Sequence, residues 1–165
     1  MNYVFLSPDF PSHYYRFCSR LRSTGSAVFG IGETPHAHLR HELREALTEY
    51  VHVPDLHRYD ELVRALGYFT WRHGKIDGLD SHNEHWLETE ARLREDFNID
   101  GLRTAALPAA KLKSAMKEVF RRAELTVARG HLFHGAEAAR AFALEVGFPI
   151  VAKPDSGVGA AATTF

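Results

Sequence analysis

Lys153 closes the apolar run Phe148-Pro149-Ile150-Val151-Ala152 and opens a stretch of small residues, Pro154-Asp155-Ser156-Gly157-Val158-Gly159-Ala160-Ala161-Ala162. A strand that ends in lysine and enters such a loop sets a fixed cation beside backbone N–H groups that no bulky side chain screens. Phosphate oxygens want both. Pro154 would fix the chain direction after Lys153, and Ser156 adds a hydroxyl donor. The same residues also suit a strand followed by an ordinary turn with Lys153 solvated, since small-residue loops are common punctuation.

The elements that must position this stretch can be read backwards from it. Gly147 ends a predicted helix from about Ala136 to Val146, and a strand is predicted around Leu125 to Val127. Before that lies a helix on which Leu112, Met116, Val119, Phe120 and Ala123 share one face and Lys113 and Lys117 another. Ala105-Ala106-Leu107-Pro108 is a Pro-marked connector. In the first hundred residues four short apolar runs, Tyr3 to Leu6, Ala27 to Ile31, Tyr50 to Val53 and Ile76 to Leu79, alternate with amphipathic segments. That alternation predicts a parallel sheet with crossover helices, one carrying Leu62, Val63, Leu66 and Phe69, another Trp86, Leu93 and Phe97. Thr34-Pro35 is expected to cap and open a helix, and Ser81-His82-Asn83-Glu84 has the form of a capping box. The pairs Glu88/Arg92 and Glu90/Arg94, four apart, have the arrangement of a solvated face. Residues 1–103 thus read as a small Rossmann-like α/β domain, and 104–165 as the beginning of a second.

The order of these elements resembles the ATP-grasp superfamily, whose members include carbamoyl phosphate synthase large subunits and biotin carboxylase-like ligases. Members have a Rossmann-like pre-ATP-grasp domain, a helix opening with lysine, an Xaa-Gly-Phe/Tyr-Pro-Val-Val-Xaa-Lys-Pro strand and a glycine-rich loop. Lys113-Ser114-Ala115-Met116-Lys117 looks like the lysine-led helix, and Val146 to Gly159 looks like the strand and loop nearly residue for residue. The resemblance implies a pre-ATP-grasp domain over 1–103 and an incomplete first ATP-grasp subdomain over 104–165. It implies that Lys113 and Lys153 contact ATP phosphates and that Ser156, Gly157, Val158 and Gly159 line a loop that closes over them. Lys111 is an alternative first lysine, because the Asp that often precedes that lysine in the family is replaced here by Leu112.

The family's reaction would phosphorylate a small-molecule carboxylate with ATP and magnesium, and an amine or thiol would then displace phosphate. The family's adenine-binding segment and magnesium ligands follow this loop, beyond Phe165, so the resemblance implies metal ligands outside this sequence and no activity from it alone. A homodimer is compatible with it. The alternative is a non-catalytic nucleotide-binding or scaffold α/β domain.

Other constellations carry less. Twenty basic against twenty-one acidic side chains lack the electrostatic footprint of a nucleic-acid binder. No apolar run has the length to span a bilayer, no secretory signal is evident and the single cysteine, Cys18, forms no internal disulfide, which together predict a cytoplasmic address. Of eleven histidines, His36, His38 and His41, or His82 and His85, have spacings that could serve a metal, but solvated helix-surface imidazoles are expected. Glu84 resembles a glutamate that often starts the last helix of the pre-ATP-grasp domain, and a capping role explains it equally. Phe10, Tyr14, Tyr15 and Phe17 are expected to pack a helix on the sheet. Gly30-Ile31-Gly32 follows the second strand and lacks a third glycine, so it is no dinucleotide fingerprint.

Overall fold

The computed structural model describes residues 1–157. The chain divides into two compact units, Met1–Thr104 and the part from Ala105 onward.

In the first unit the four apolar runs form β1 (Asn2–Leu6), β2 (Ala27–Gly32), β3 (Glu49–His52) and β4 (Gly78–Asp80), all parallel, in the order β3-β2-β1-β4. The connections carry α1 (Tyr15–Ser23), α2 (His41–Ala46) and α3 (Tyr59–His73), and α4 (Leu87–Asp96) follows β4. The central strands are apolar without interruption because both faces are covered. Val4, Leu6, Phe29 and Ile31 pack on one face with Leu62, Leu66, Phe69, Trp86 and Leu93. Phe5 and Val28 point the other way, onto Cys18, Leu43 and Leu47. Tyr14 and Tyr15 join that second layer, whereas Phe10 is 66% exposed and does not pack the helix as expected.

Gly30 and Gly32 have a packing role. A Cβ on Gly32 would lie 2.6 Å from the hydroxyl of Tyr50, and one on Gly30 would lie 2.8 Å from the Tyr50 ring. Tyr50 lies over β2 and donates to the Thr34 carbonyl at 2.7 Å.

Several local expectations give way. Thr34 donates its hydroxyl to Asp9 and caps nothing; Pro35 precedes only a short 3-10 turn, His36–His38. The capping box does not form: Asn83 accepts from the backbone of His85 and opens the 3-10 turn Glu84–Trp86, in which Glu84 sits half-buried. Glu90 and Arg94 are not solvated; they are 1% and 5% exposed. Arg94 donates Nε and Nη2 to the Leu79 carbonyl at 3.1 and 2.6 Å, and Nη2 to Glu90 at 3.1 Å. The physical cause is that β4 is an edge strand whose outward backbone groups need partners.

The second unit contains α5 (Leu107–Lys111), α6 (Lys113–Arg122) and α7 (Ala136–Val146), the last ended by Gly147 at φ +80°. Phe142 on α7 meets Phe133 and His131, and Arg129 pairs with Glu145. Leu125 to Val127 is not a strand, and between Phe148 and Pro154 only Ala152 makes a bridge. A strand exists through its ladder, and neither run pairs along its length among the described residues. Ala143 is the single buried hydrophobic described in this unit, while Val119, Phe120 and Leu144 on its helices are exposed.

Candidate functional site

The site begins with an absence in the sequence at the start of α6. Its N-cap position is Leu112, which has no side-chain acceptor for the amides that open the helix. Asp155 supplies one from 41 residues away. Its Oδ1 accepts from the Ser114 backbone at 2.7 Å and its Oδ2 from the Ser114 hydroxyl at 2.7 Å. Its carbonyl accepts from the Lys113 N–H at 3.0 Å. Two amides that α6 would leave unpaired are thereby satisfied by one residue of the Lys153–Gly157 turn.

The turn is also held by a cation. The Lys113 ammonium lies 3.3 Å from the Asp155 carbonyl and 3.5 Å from that of Gly157. Gly157 has φ +136° with open space around it, so its backbone conformation, and no crowding, is what demands glycine. The hydrogen bonds from the Ser114 hydroxyl and backbone, with the nearby Lys113 charge, hold the Asp155 carboxyl below its ordinary pKa. The positive end of α6 suits a carboxylate there.

Lys153 and Ser156 are exposed on the same turn. The structure therefore brings together Lys113, Asp155 and Gly157, with Lys153 and Ser156 alongside in sequence. Val158 and Gly159 lie outside the described residues. Lys111 ends α5, two residues before the lysine that reaches the turn. Lys117 is half-buried and donates to the Ala128 carbonyl at 2.9 Å, so it is not part of a bare helix face. An ammonium group that reaches a glycine-containing turn, with a second lysine two residues before Asp155 in sequence, suits an anion with several oxygens.

Asp155 and Ser114 were missed as site residues in the sequence. The available signal was Leu112, a residue that cannot cap, at the start of a strongly patterned helix; some acceptor elsewhere had to do it.

The other candidates belong to the first unit. Cys18 is buried on α1, and burial pushes its thiol up to about 12, which removes it as a nucleophile. His36 and His38 are exposed on a short turn, and His82 packs on Phe17 and Phe5. Among the described residues no helix is long and apolar enough to cross a membrane.

No protein-family model matches the sequence, and no curated protein matches it. Solved structures do. The biotin carboxylase domain of the 2-oxoglutarate carboxylase of Hydrogenobacter thermophilus, determined with MgADP and bicarbonate, superposes with a TM-score of 0.71 at 18% identity over 98% of this chain. The N5-carboxyaminoimidazole ribonucleotide synthetase of Thermotoga maritima gives 0.64 at 17% identity over 94%, and the L-amino acid ligase of Bacillus licheniformis 0.59 at 18% over 94%. These are ATP-grasp enzymes, and the likeness shows the fold: an α/β unit with a parallel sheet, followed by a second compact unit. The chain spans 36%, 39% and 37% of those three chains.

Proposed function

We propose that this chain is the N-terminal part of an ATP-dependent ligase that activates a small-molecule carboxylate as an acylphosphate and passes the acyl group to an amine or a thiol. Residues 1–103 act as the pre-ATP-grasp domain and 104–165 as the start of the ATP-grasp domain. The observation that carries this reading is the Asp155 clamp, which fastens the lysine-led start of α6 to the turn that follows Lys153. One cation reaches that turn and a second emerges from it.

In this reading Lys113 and Lys153 neutralise phosphate charge. Ser156 and Gly157, continued by Val158 and Gly159, close over the phosphates and exclude water. The MgADP held by the Hydrogenobacter neighbour supports a magnesium nucleotide as the cofactor. The residues present fit its phosphates and do not fit its metal. Magnesium takes oxygen ligands, and both oxygens of Asp155 already accept from Ser114. This chain then contributes positioning and charge, and on its own is catalytically incomplete. The carboxylate and the nucleophile are small molecules, the address we expect is cytoplasmic, and a homodimer is compatible with this reading.

The test is a nucleotide titration of the full-length protein that contains this chain, with and without Lys153→Ala. A lysine–phosphate contact contributes roughly 1.5–3 kcal/mol, so ATP affinity is expected to fall at least about tenfold. Unchanged affinity would overturn the phosphate assignment.

A further inference from the structure

In the first unit, the loops that follow β2, β3 and β4 bring Glu33, Asp55, His57 and His85 together, at the carboxyl ends of the strands. The Nε2 atoms of His57 and His85 face each other at 3.2 Å. Asp55 Oδ1 accepts from the His57 backbone at 2.8 Å and stands 3.0 Å from His57 Nδ1. With the proton on Nδ1 and donated to Asp55, the Nε2 lone pair of His57 is left facing His85. This carboxylate–imidazole arrangement is the one that orients metal-ligating histidines.

The surroundings are built to hold both rings. The ring of Trp86, itself 8% exposed, lies 5.0 Å from that of His57 and 4.6 Å from that of His85. Asn83 fixes the His85 backbone at 3.0 Å. Glu33 Oε1 accepts from the Leu56 N–H at 2.8 Å, and one ligand atom each from Glu33, Asp55 and His57 lie within 4.8 Å of one another. Arg58, the neighbouring cation, turns to Asp60 and Glu61.

We infer that His57 and His85 form a binding site for a first-row divalent ion of the zinc, nickel or copper kind, independent of the nucleotide turn. Two imidazole nitrogens at about 2.0–2.1 Å from a tetrahedral ion stand roughly 3.3 Å apart, close to the spacing found. The ion takes the place of the proton between the two Nε2 atoms; His85 carries its proton on Nδ1 instead, so both rings bind as neutral imidazoles. Imidazole donors select these ions over magnesium or calcium. Asp55 acts on the ion through His57, Glu33 adds negative potential nearby, and water fills the remaining positions. The sequence hides the site because its two histidines are 28 residues apart and His85 pairs with His57 and not with its sequence neighbour His82.

Calorimetric titration of Zn2+ into the chain tests this. One saturable site is expected, weakened at least about tenfold by His57→Gln or His85→Gln and about 10- to 100-fold by Asp55→Asn. His41→Gln, at an exposed pair with Glu45, should leave it unchanged. These side chains are on the surface, and unaltered thermal melts would show that the variants fold. Proton NMR supplies a second readout in the unaltered chain, where the ring Cε1 protons of His57 and His85 should shift before those of the other histidines. No saturable binding, equal weakening by His41→Gln, or ring shifts elsewhere first would overturn the site.

Discussion

The carboxylate of Asp155 binds both the backbone N–H and the hydroxyl of Ser114, each at 2.7 Å, and thereby caps α6 from the far end of the second unit. A cap of this kind makes the helix start and the turn mutually dependent. Whatever loosens one releases the other.

Removal of the carboxylate is the first test. An Asp-to-Ala change at a helix cap costs about 1 kcal/mol, within a range of roughly 0.5–2. Asp155→Ala should therefore speed amide exchange at Ser114 and along the first turn of α6. Because Ser114→Ala removes one of the two contacts that Asp155→Ala removes, the bond from the hydroxyl, the two changes should be non-additive in a double-mutant cycle.

The same residue sets a pH dependence. Its folded pKa is depressed, so its contribution is present above the unfolded value of about 3.9 and is lost as pH falls through the lower folded value. Protection at Ser114 should decline in that acid window in the unaltered chain and stay flat across it in Asp155→Asn.

Lysine choice offers a third measurement. Lys113 and Lys111 are both candidates by position, but the ammonium of Lys113 lies 3.3 Å from the Asp155 carbonyl. In the full-length protein, Lys113→Ala should weaken ATP binding about tenfold or more, and Lys111→Ala should change it less than about twofold. Equal losses would transfer the role to the helix end as a whole.

How much of this was legible depends on distance along the chain. The central strands β1 and β2 were readable because both sheet faces are buried there, which makes Tyr3 to Leu6 and Ala27 to Ile31 continuously apolar, while the edge runs, interrupted by His52 and Asp77, were readable from their place in the alternation with helices. The helix Ala136–Val146 was readable because Gly147 stops it with a positive φ. Glu90 and Arg94 misled because their four-residue spacing is that of a surface pair. They nevertheless fall within the Trp86, Leu93 and Phe97 stripe, and the reason to bury them, the Leu79 carbonyl, lies 15 residues before Arg94. The turn after Lys153 showed its composition but not its anchor, since an acceptor 41 residues away leaves no local pattern. The run from Leu125 to Val127 had strand composition and no partner strand among the described residues.

That buried pair gives a stability prediction. Taking Arg94 away leaves the Leu79 carbonyl and Glu90 without their donor, and breaking a buried pair costs about 3–5 kcal/mol. Arg94→Ala should destabilise the first unit by an amount in that range, read from its urea denaturation curve. Glu90→Gln should cost far less, because burial already pushes the Glu90 carboxyl upward, toward its neutral form.

Gly32 supplies a steric test. A Cβ there meets the Tyr50 hydroxyl at 2.6 Å, and overpacking of this kind costs about 1–3 kcal/mol. Thermal denaturation should show Gly32→Ala destabilised, with much of the loss recovered when Tyr50→Phe removes that oxygen.

The bond from Arg94 to the outer carbonyl of β4 also governs how copies of this unit can meet. A free sheet edge is a template on which a strand from another molecule can dock. Arg94 occupies that template at Leu79, so strand addition cannot proceed past the middle of β4 without expelling a buried guanidinium. Self-association of this unit is thereby steered to its helix surfaces or to the short edge of β3, and uncontrolled sheet extension is blocked on one side by a single side chain.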